Sequence, residues 1–311
     1  MADFEALANG VYCVDAHYVK PGVASIYLLR EGEEVAIIET GTRHSLDNVS
    51  ATLAQLGIDD DQVRYVIPTH VHLDHAGGAG AMMQRFSQAE LIIHPRGLRH
   101  MLDPSKLVDG TVAVYGRESF QRLYGSIDPI AEARTIVAGD SSSHWLGGRE
   151  LVFIDTPGHA YHHFCIYDDR SHGVFTGDTF GVSYAAMKSL PGGLIPTTPP
   201  TQFDPPALRD SIGRIMQFRP ERLYLTHYGE FENPAAQVDS FDRWIDLYVK
   251  LAESYDTVDD TQEAELEGKL LTEVLARLGG EHADALKPII GHDIHLNAQG
   301  LAWWRNRAQH G

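Results

Sequence analysis

Apolar residues in the first forty positions fall into three short runs, Val11–Val14, Ala24–Leu29 and Val35–Ile38, separated by Pro21-Gly22 and the polar Glu31-Gly32-Glu33. Runs of this length bounded by turn formers predict strands, so the chain opens as a meander. From Ser45 the period changes. Leu46, Val49, Leu53 and Leu56 recur at helical spacing, and Gly57 supplies a stop before a strand at Val63–Ile67. A helix over about 76–86, a strand at Leu91–Ile93 and a helix over 111–125 follow. The buried side of that last helix is expected to be Val112, Tyr115, Phe120 and Leu123. Further strands are predicted at Leu151–Ile154, Phe164–Tyr167, Val174-Phe175 and Leu223–Leu225. The alternation describes an α/β body with a mixed sheet.

Between Val182 and Pro206 the chain is broken by repeated Pro and Gly, too long for a connector and too interrupted for an element. A helix is predicted from Pro234 to about Ser254. The stretch 256–281 is strongly acidic, yet it also carries Leu266, Leu270, Leu271, Val274, Leu275 and Leu278. That much apolar surface needs cover, so residues 256–311 are expected to form a helical extension packed on a main domain of residues 1–255.

At 311 residues and 43% apolar content, the chain can bury a large core. Its 43 acids against 25 bases leave a formal charge of -18, which repels phosphate backbones and anionic membranes. The expected partner is therefore a small-molecule substrate rather than nucleic acid or a membrane, with a homodimer left open. Cys13 and Cys165 could form at most one bridge, which fits a reducing compartment, and no signal-peptide pattern opens the sequence. A cytoplasmic protein is expected. No apolar run approaches the ~20 residues of a membrane span.

The densest chemistry lies in His70-Val71-His72-Leu73-Asp74-His75, where a strand gives way to a helix. Extended backbone sends His70 and His72 to one side, and the turn into the helix can bring Asp74 and His75 to face them. Imidazoles and a carboxylate suit a borderline divalent metal. Four such donors exceed what one catalytic ion usually takes from a single turn, so two ions are implied. Random placement would give this pattern on the order of once in several hundred such chains, which disfavours coincidence. His159, Asp178 and His227 each stand just after a predicted strand, at the edge where α/β sheets collect ligands.

His-x-His-x-Asp-His followed in order by His159, Asp178 and His227 resembles the signature of the metallo-β-lactamase superfamily, and the likeness runs over about residues 10–230. The resemblance implies a four-layer αβ/βα sandwich of the α/β (α+β) class, here with a small C-terminal helical extension. It implies that His70, His72 and His159 bind one metal and Asp74, His75 and His227 the other, with Asp178 bridging. Two divalent ions are implied, zinc first, although such N/O donors also accept Mn, Fe or Co. Many antibiotic-hydrolysing members carry cysteine where Asp178 stands, so this chain looks more like the lactonase, thioesterase and phosphodiesterase branches. Glu39, in Ile38-Glu39-Thr40-Gly41, replaces the Asp of many relatives and bears on the support of the site rather than on metal binding.

The function so implied is a binuclear metal-dependent hydrolase that directs a metal-bridging hydroxide at a small ester, lactone or thioester. Asp74 would be the catalytic residue, orienting that nucleophile and passing its proton to the leaving group. No G-x-S-x-G elbow is present, and neither cysteine falls at a ligand position, so a covalent acyl-enzyme lacks support. The alternatives are a mononuclear iron oxidoreductase of the persulfide dioxygenase type and a non-catalytic ligand-binding or sensor protein on the same scaffold. Without a basic run in the sequence, neutral substrates are favoured. Tyr184 is a candidate oxyanion donor. Arg96, His100, His292 and His295 would meet a substrate if the C-terminal helices fold over the cleft. His162 and His163, beside His159, are read as surface or supporting residues.

Overall fold

The computed structural model describes residues 2–308, without the side chains of 114, 115 and 281. The first sheet runs in chain order: β1 (Phe4–Ala6), β2 (Val11–Asp15), β3 (Ser25–Glu31), β4 (Glu34–Ile38), β5 (Val63–Ile67), β6 (Glu90–Ile93) and β7 (Thr135–Val137). Its first four strands are an antiparallel meander and its last four are parallel. The parallel crossings need helices. They are α1 (Leu46–Gln55), then α2 (Leu73–Ala76) and α3 (Ala79–Arg85), then α4 (Leu98–Leu102), α5 (Ser105–Tyr115) and α6 (Arg117–Tyr124).

The second sheet contains β8 (Ser143–Leu146), β9 (Arg149–Asp155), β10 (Phe164–Asp168), β11 (Gly173–Val182), β12 (Arg222–His227) and β13 (Gly229–Glu232), in the order β13-β12-β11-β10-β9-β8. Only β11 and β12 are parallel, and α7 (Pro205–Gln217) joins them. Three helices complete the fold: α8 (Val238–Glu253), α9 (Asp260–Arg277) and α10 (Ala283–Ala308).

Period-2 alternation explains the layering. In β4, Val35 and Ile37 pack toward the first sheet's helices, while Ala36 and Ile38 join a core shared with Phe153, Phe164, Phe175 and Tyr224 of the second sheet. The outer face of the second sheet, with Val174, Phe180, Leu223 and Leu225, is covered by α7–α10. Helices, sheet, sheet and helices thus form the four layers of an α/β sandwich. Leu266, Leu270, Val274 and Leu278 and the α10 residues Leu286, Ile290, Ile294 and Leu301 are buried in that outer core. At the far end of the second sheet Arg149 makes a buried two-point contact with Asp168 and donates Nη1 to Asn9 O at 2.6 Å.

Besides the short β1, α4, β7, β8 and β13, which the sequence pattern did not signal, three elements differ from the sequence expectation. The single helix over 111–125 is two, α5 and α6, broken where Gly116 takes a φ of +77°. Val112, Phe120 and Leu123 pack together as expected, and Tyr115 lies outside the described side chains. The helix expected from 76 starts at Leu73, so Asp74 and His75 are already helical. The third difference is α7, which begins at the end of the Pro-rich segment, where no helix is expected from the pattern. Asp204 caps it by accepting from Ala207 N at 3.1 Å, and Pro205-Pro206 occupy its first turn, where their missing amides cost nothing. Both cysteines are buried and free, with burial pushing the Cys13 thiol up to about 11 and Cys165 up to about 12. No helix among the described residues is long and apolar enough to cross a membrane.

Candidate metal centre

β5 delivers the chain to Thr69, and the turn through His72 into α2 brings His70, His72, Asp74 and His75 together within one loop. His159 follows β9, Asp178 lies within β11 and His227 ends β12. All seven residues anticipated from the sequence meet at the edge of the two sheets. They form overlapping groups with ligand atoms within 4.8 Å: His70, His72 and His159; His70, His75 and Asp178; and Asp74, His75 and His227.

In the first group, His72 Nδ1 lies 2.9 Å from His70 Nε2 and 3.1 Å from His159 Nε2. Burial holds all three rings below the ordinary histidine range, with His159 down to about 3, so their lone pairs are free at neutral pH. In the third, Asp74 Oδ2 lies 3.6 Å from His75 Nε2 and 3.5 Å from His227 Nε2. Asp178 stands between the groups: Oδ2 is 3.3 Å from His159 Nε2, and Oδ1 is 3.4 and 3.6 Å from His75 and His227 Nε2.

Here burial would depress His227 and His75, but Asp178 with Asp74, and for His75 also Glu39, outweighs it. His227 rises to about 9 and His75 well above its usual value. The same histidines overcome burial to hold Asp74 and Asp178 below the carboxylate range. Protons on two imidazoles therefore supply the positive charge that these carboxylates require. The buried His75 Nε2 and Asp178 Oδ1 have no hydrogen-bond partner. Orphaned donor atoms of opposite charge, facing one another among nitrogen and carboxylate ligands, fit a divalent cation.

Each ligand is aimed by an outer contact. His227 Nδ1 donates to Val23 O at 2.7 Å, which fixes the ring with Nε2 toward Asp74, the atom that would ligate an ion once its proton is released. His75 Nδ1 meets Glu39 Oε1 at 3.0 Å, and Glu39 also accepts from Thr69 N, Thr69 Oγ1 and Thr226 Oγ1. Glu39 holds this position with a φ of +66°, so the long carboxylate is spread over three segments of both sheets by unusual backbone. His163, read from sequence as a surface or supporting residue, is fully buried and accepts Asp178 N at 3.2 Å. Gly177 lets it approach: a Cβ there would meet His163 Nε2 at 2.4 Å and Thr69 Oγ1 at 2.5 Å. His162 is also buried, accepting Val71 N at 3.4 Å.

The remaining outer contacts were not visible in the sequence. Thr197 Oγ1 lies 2.9 Å from His159 Nδ1, and the adjacent Thr198 is fastened to Asn297 of α10. Tyr184 is buried and donates its hydroxyl to Asp293 Oδ1 of α10 at 3.0 Å. Burial and the Asp293 charge push that phenol well up, so its proton stays in place to hold α10. His295, expected at the cleft, is instead exposed and pairs through Nδ1 with Glu267 Oε2 of α9 at 2.8 Å, because it lies on the outer side of α10. His292 is exposed as well. Arg96 and His100 line a separate hollow beside His162.

Comparison with known proteins bears on the fold and the family. A family model described as the metallo-beta-lactamase superfamily matches residues 19–227. A metallo-beta-lactamase fold-containing protein of Sulfurisphaera tokodaii, ST1585, is 25% identical over 226 residues, covering 71% of this chain and 79% of that protein. Its solved structure matches with a TM-score of 0.64 and 22% identity over 95% of this chain and 99% of that one. A metallo-beta-lactamase family protein from Thermus thermophilus, TTHA1429, gives 0.68 at 18% identity over 98% and 95%. The acyl-coenzyme A thioesterase MBLAC2 of Gallus gallus is 26% identical over 183 residues, 55% of this chain and 63% of that protein, so the likeness spans under two-thirds of the thioesterase.

Proposed function

The chain belongs to the metallo-beta-lactamase superfamily, and from that premise we propose that it is a metal-dependent hydrolase that holds two divalent ions and cleaves a small ester, lactone or thioester. His70, His72 and His159 would hold one ion, and Asp74, His75 and His227 the other, with Asp178 shared. The observation that carries this reading is the position of Asp178, whose two carboxylate oxygens face different donor groups. When bound, such ions act as Lewis acids and bring the pKa of coordinated water toward neutrality.

Within that site Asp74 is the group that moves a proton. Its side chain is 24% exposed, against 7% for Asp178, and it stays ionised because His75 and His227 flank it. It can accept a proton from an attacking water and return it to the departing oxygen or sulfur. Glu39 and Val23 O keep His75 and His227 in fixed orientations, and Thr197 does the same for His159. No cysteine takes part, since Cys13 and Cys165 are buried and their thiols are raised. The similarity to an acyl-coenzyme A thioesterase is the reason to put thioesters first in the substrate panel.

The test is elemental analysis of the purified protein together with turnover of ester, lactone, thioester and phosphodiester panels. Two ions per chain with hydrolysis of one carboxylic class is the expected result. A single iron with oxygen-dependent consumption of a persulfide would replace it with the oxidoreductase reading.

A further inference from the structure

Beside the donor cluster lies a hollow of about 620 Å³, a size that suits a small-molecule group. Its walls include Arg96 and Arg99 around α4, His100, Tyr161, Gln202 and His162. His162 is the partition: its ring centroid is 5.6 Å from that of His72 and 6.3 Å from that of His100. Whatever occupies the hollow therefore sits one side chain away from a proposed metal ligand.

The charge of this hollow runs against the rest of the chain. The formal balance is -18, yet no Asp or Glu lines it among the described residues. Arginines elsewhere are commonly neutralised, as Arg43, Arg64, Arg85, Arg170, Arg209 and Arg214 are by carboxylates. Arg96 and Arg99 have no carboxylate partner among the described residues. Arg96 donates Nη1 to Tyr161 O at 3.2 Å with its guanidinium 5.9 Å from the Tyr161 ring centre, and Arg99 Nε donates to His100 Nε2 at 3.2 Å. A third guanidinium without a carboxylate partner among the described residues, Arg307 at the end of α10, donates Nη1 to the Tyr161 hydroxyl at 2.8 Å. Arg96 and Arg99 line the hollow from one segment, and the fold adds Arg307 behind Tyr161, one of its walls. The expectation of a neutral substrate, drawn from the absence of a basic run, takes no account of such a hollow.

We propose that this hollow binds an anionic arm of the substrate, a phosphate or carboxylate carried at a distance from the bond that is cleaved. The proposal rests on the hydrolase reading and names the substrate class for it. Arginine forks hold planar or tetrahedral oxyanions by paired, charge-assisted hydrogen bonds, and unneutralised guanidinium groups keep that capacity available. Leu98, Leu102 and the Tyr161 ring give the connecting hydrocarbon an apolar surface to lie on. The strongly negative remainder of the molecule repels an anion bound anywhere else, so the positive hollow also selects where it docks.

Two measurements on the metal-loaded protein test this. In the first, phenyl phosphate is titrated calorimetrically into wild type and into the paired variants R96Q/R99Q and R96E/R99E, with metal content and circular dichroism verifying the fold. Binding should weaken at least about tenfold in both variants. Absence of binding to wild type, or equal binding in all three proteins, overturns the proposal, the latter because the anion then sits at the metals. In the second, thioesters of one acyl group are compared with N-acetylcysteamine, N-acetylcysteine and 4′-phosphopantetheine as leaving thiols. The neutral, carboxylated and phosphorylated arms distinguish the two oxyanions. The expected result is a KM at least about tenfold lower for one anionic thioester, lost in the variants. Hydrolysis with no preference among the three overturns the anion site and leaves the hydrolase standing. Arginine-dependent phenyl phosphate binding without hydrolysis of any panel member overturns the hydrolase reading and leaves the anion site standing.

Discussion

The side-chain oxygen of Asn297, on α10, accepts the backbone N–H of Thr198 at 2.6 Å, while its amide donates to Pro196 O at 3.1 Å. Thr198 Oγ1 returns a bond to Asn297 O at 3.0 Å. A buried carboxamide thus clamps, from both sides, the residue that contacts His159, Thr197. Gly300, one turn on, allows the approach, since a Cβ there would collide with Thr198 O at 1.7 Å.

Asn297→Ala should therefore do two things. Leaving buried backbone groups without partners should cost about 1–3 kcal/mol, seen as a lower Tm. It should also weaken the ion held by His70, His72 and His159, measured by competition with a chromophoric chelator. Unchanged metal affinity in a destabilised protein would reduce Asn297 to a packing role.

Glu39 accepts four hydrogen bonds in one buried spot, including the one that aims His75. Glu39→Gln keeps the size but removes the charge and forces an amide N–H toward donors. Affinity for the second ion should fall about 10- to 100-fold, as for other residues that orient a ligand. Glu39→Asp should fail to rescue it, because the shorter arm cannot reach Thr69, His75 and Thr226 together. Chelator titration of the two variants decides.

Asp178→Ala should reduce the content from two ions to about one, since the three-histidine group keeps its donors while the pair loses its shared carboxylate. Elemental analysis showing full occupancy would remove Asp178 from the bridging position. Asp74→Asn should lower turnover more than about tenfold with a smaller effect on metal content, because an amide coordinates weakly but cannot take the proton. Turnover equal to wild type on a true substrate would remove Asp74 from the mechanism.

The charge state of the metal-free site makes a pH prediction. His227 is raised to about 9 from an ordinary 6.5, against burial, by Asp178 and Asp74. Its contribution to the stability of the metal-free fold is fully present below about 6.5 and is lost as the pH rises through about 9. Metal ligation needs the neutral ring, so loading at pH 7 must release protons. Binding enthalpies in buffers of different ionisation enthalpy should differ accordingly. Identical enthalpies in all buffers would show that His227 and His75 are already neutral.

Removing residues 256–311 should expose the outer face of the second sheet, where Leu266, Leu270, Ile290 and Leu301 are buried with Val174 and Leu223. Dye binding to exposed apolar surface should rise and the truncated protein should aggregate. A soluble truncation with wild-type metal content and KM would show that these helices neither complete the core nor support the site.

Much of this was legible from local pattern. Strands such as Val35–Ile38 declare themselves because both of their faces are buried and every position is apolar. The donors of residues 70–75 were legible because chance seldom produces their spacing, and His159, Asp178 and His227 because each follows an apolar strand-like run, although Asp178 proves to lie within β11 and His227 to end β12. Arg96 was a candidate from the sequence, but Arg99 and Arg307 were not, since nothing in the order of a chain says that residue 307 will reach Tyr161 beside residues 96 and 99. Asn297 and His163 were hidden for a related reason: their value lies in a partner 99 residues away for one and 15 for the other. Helix α7 was different. Its Asp204-Pro205-Pro206 start was written in the sequence, but the prolines around it read more strongly as loop.

The bond between Asn297 and Thr198 also sets an order of assembly. On a ribosome, His70 to His75 emerge first, and the last of the seven donors appears at residue 227, yet the clamp on the segment that orients His159 cannot close until residue 297 is out. The nascent chain would thus expose an unfinished set of imidazoles while the whole stretch from His227 to Asn297 is still being added. Capture of the proposed ions with His159 in its final setting would consequently be completed only on the docking of α10, a long-range contact of the kind that forms slowly.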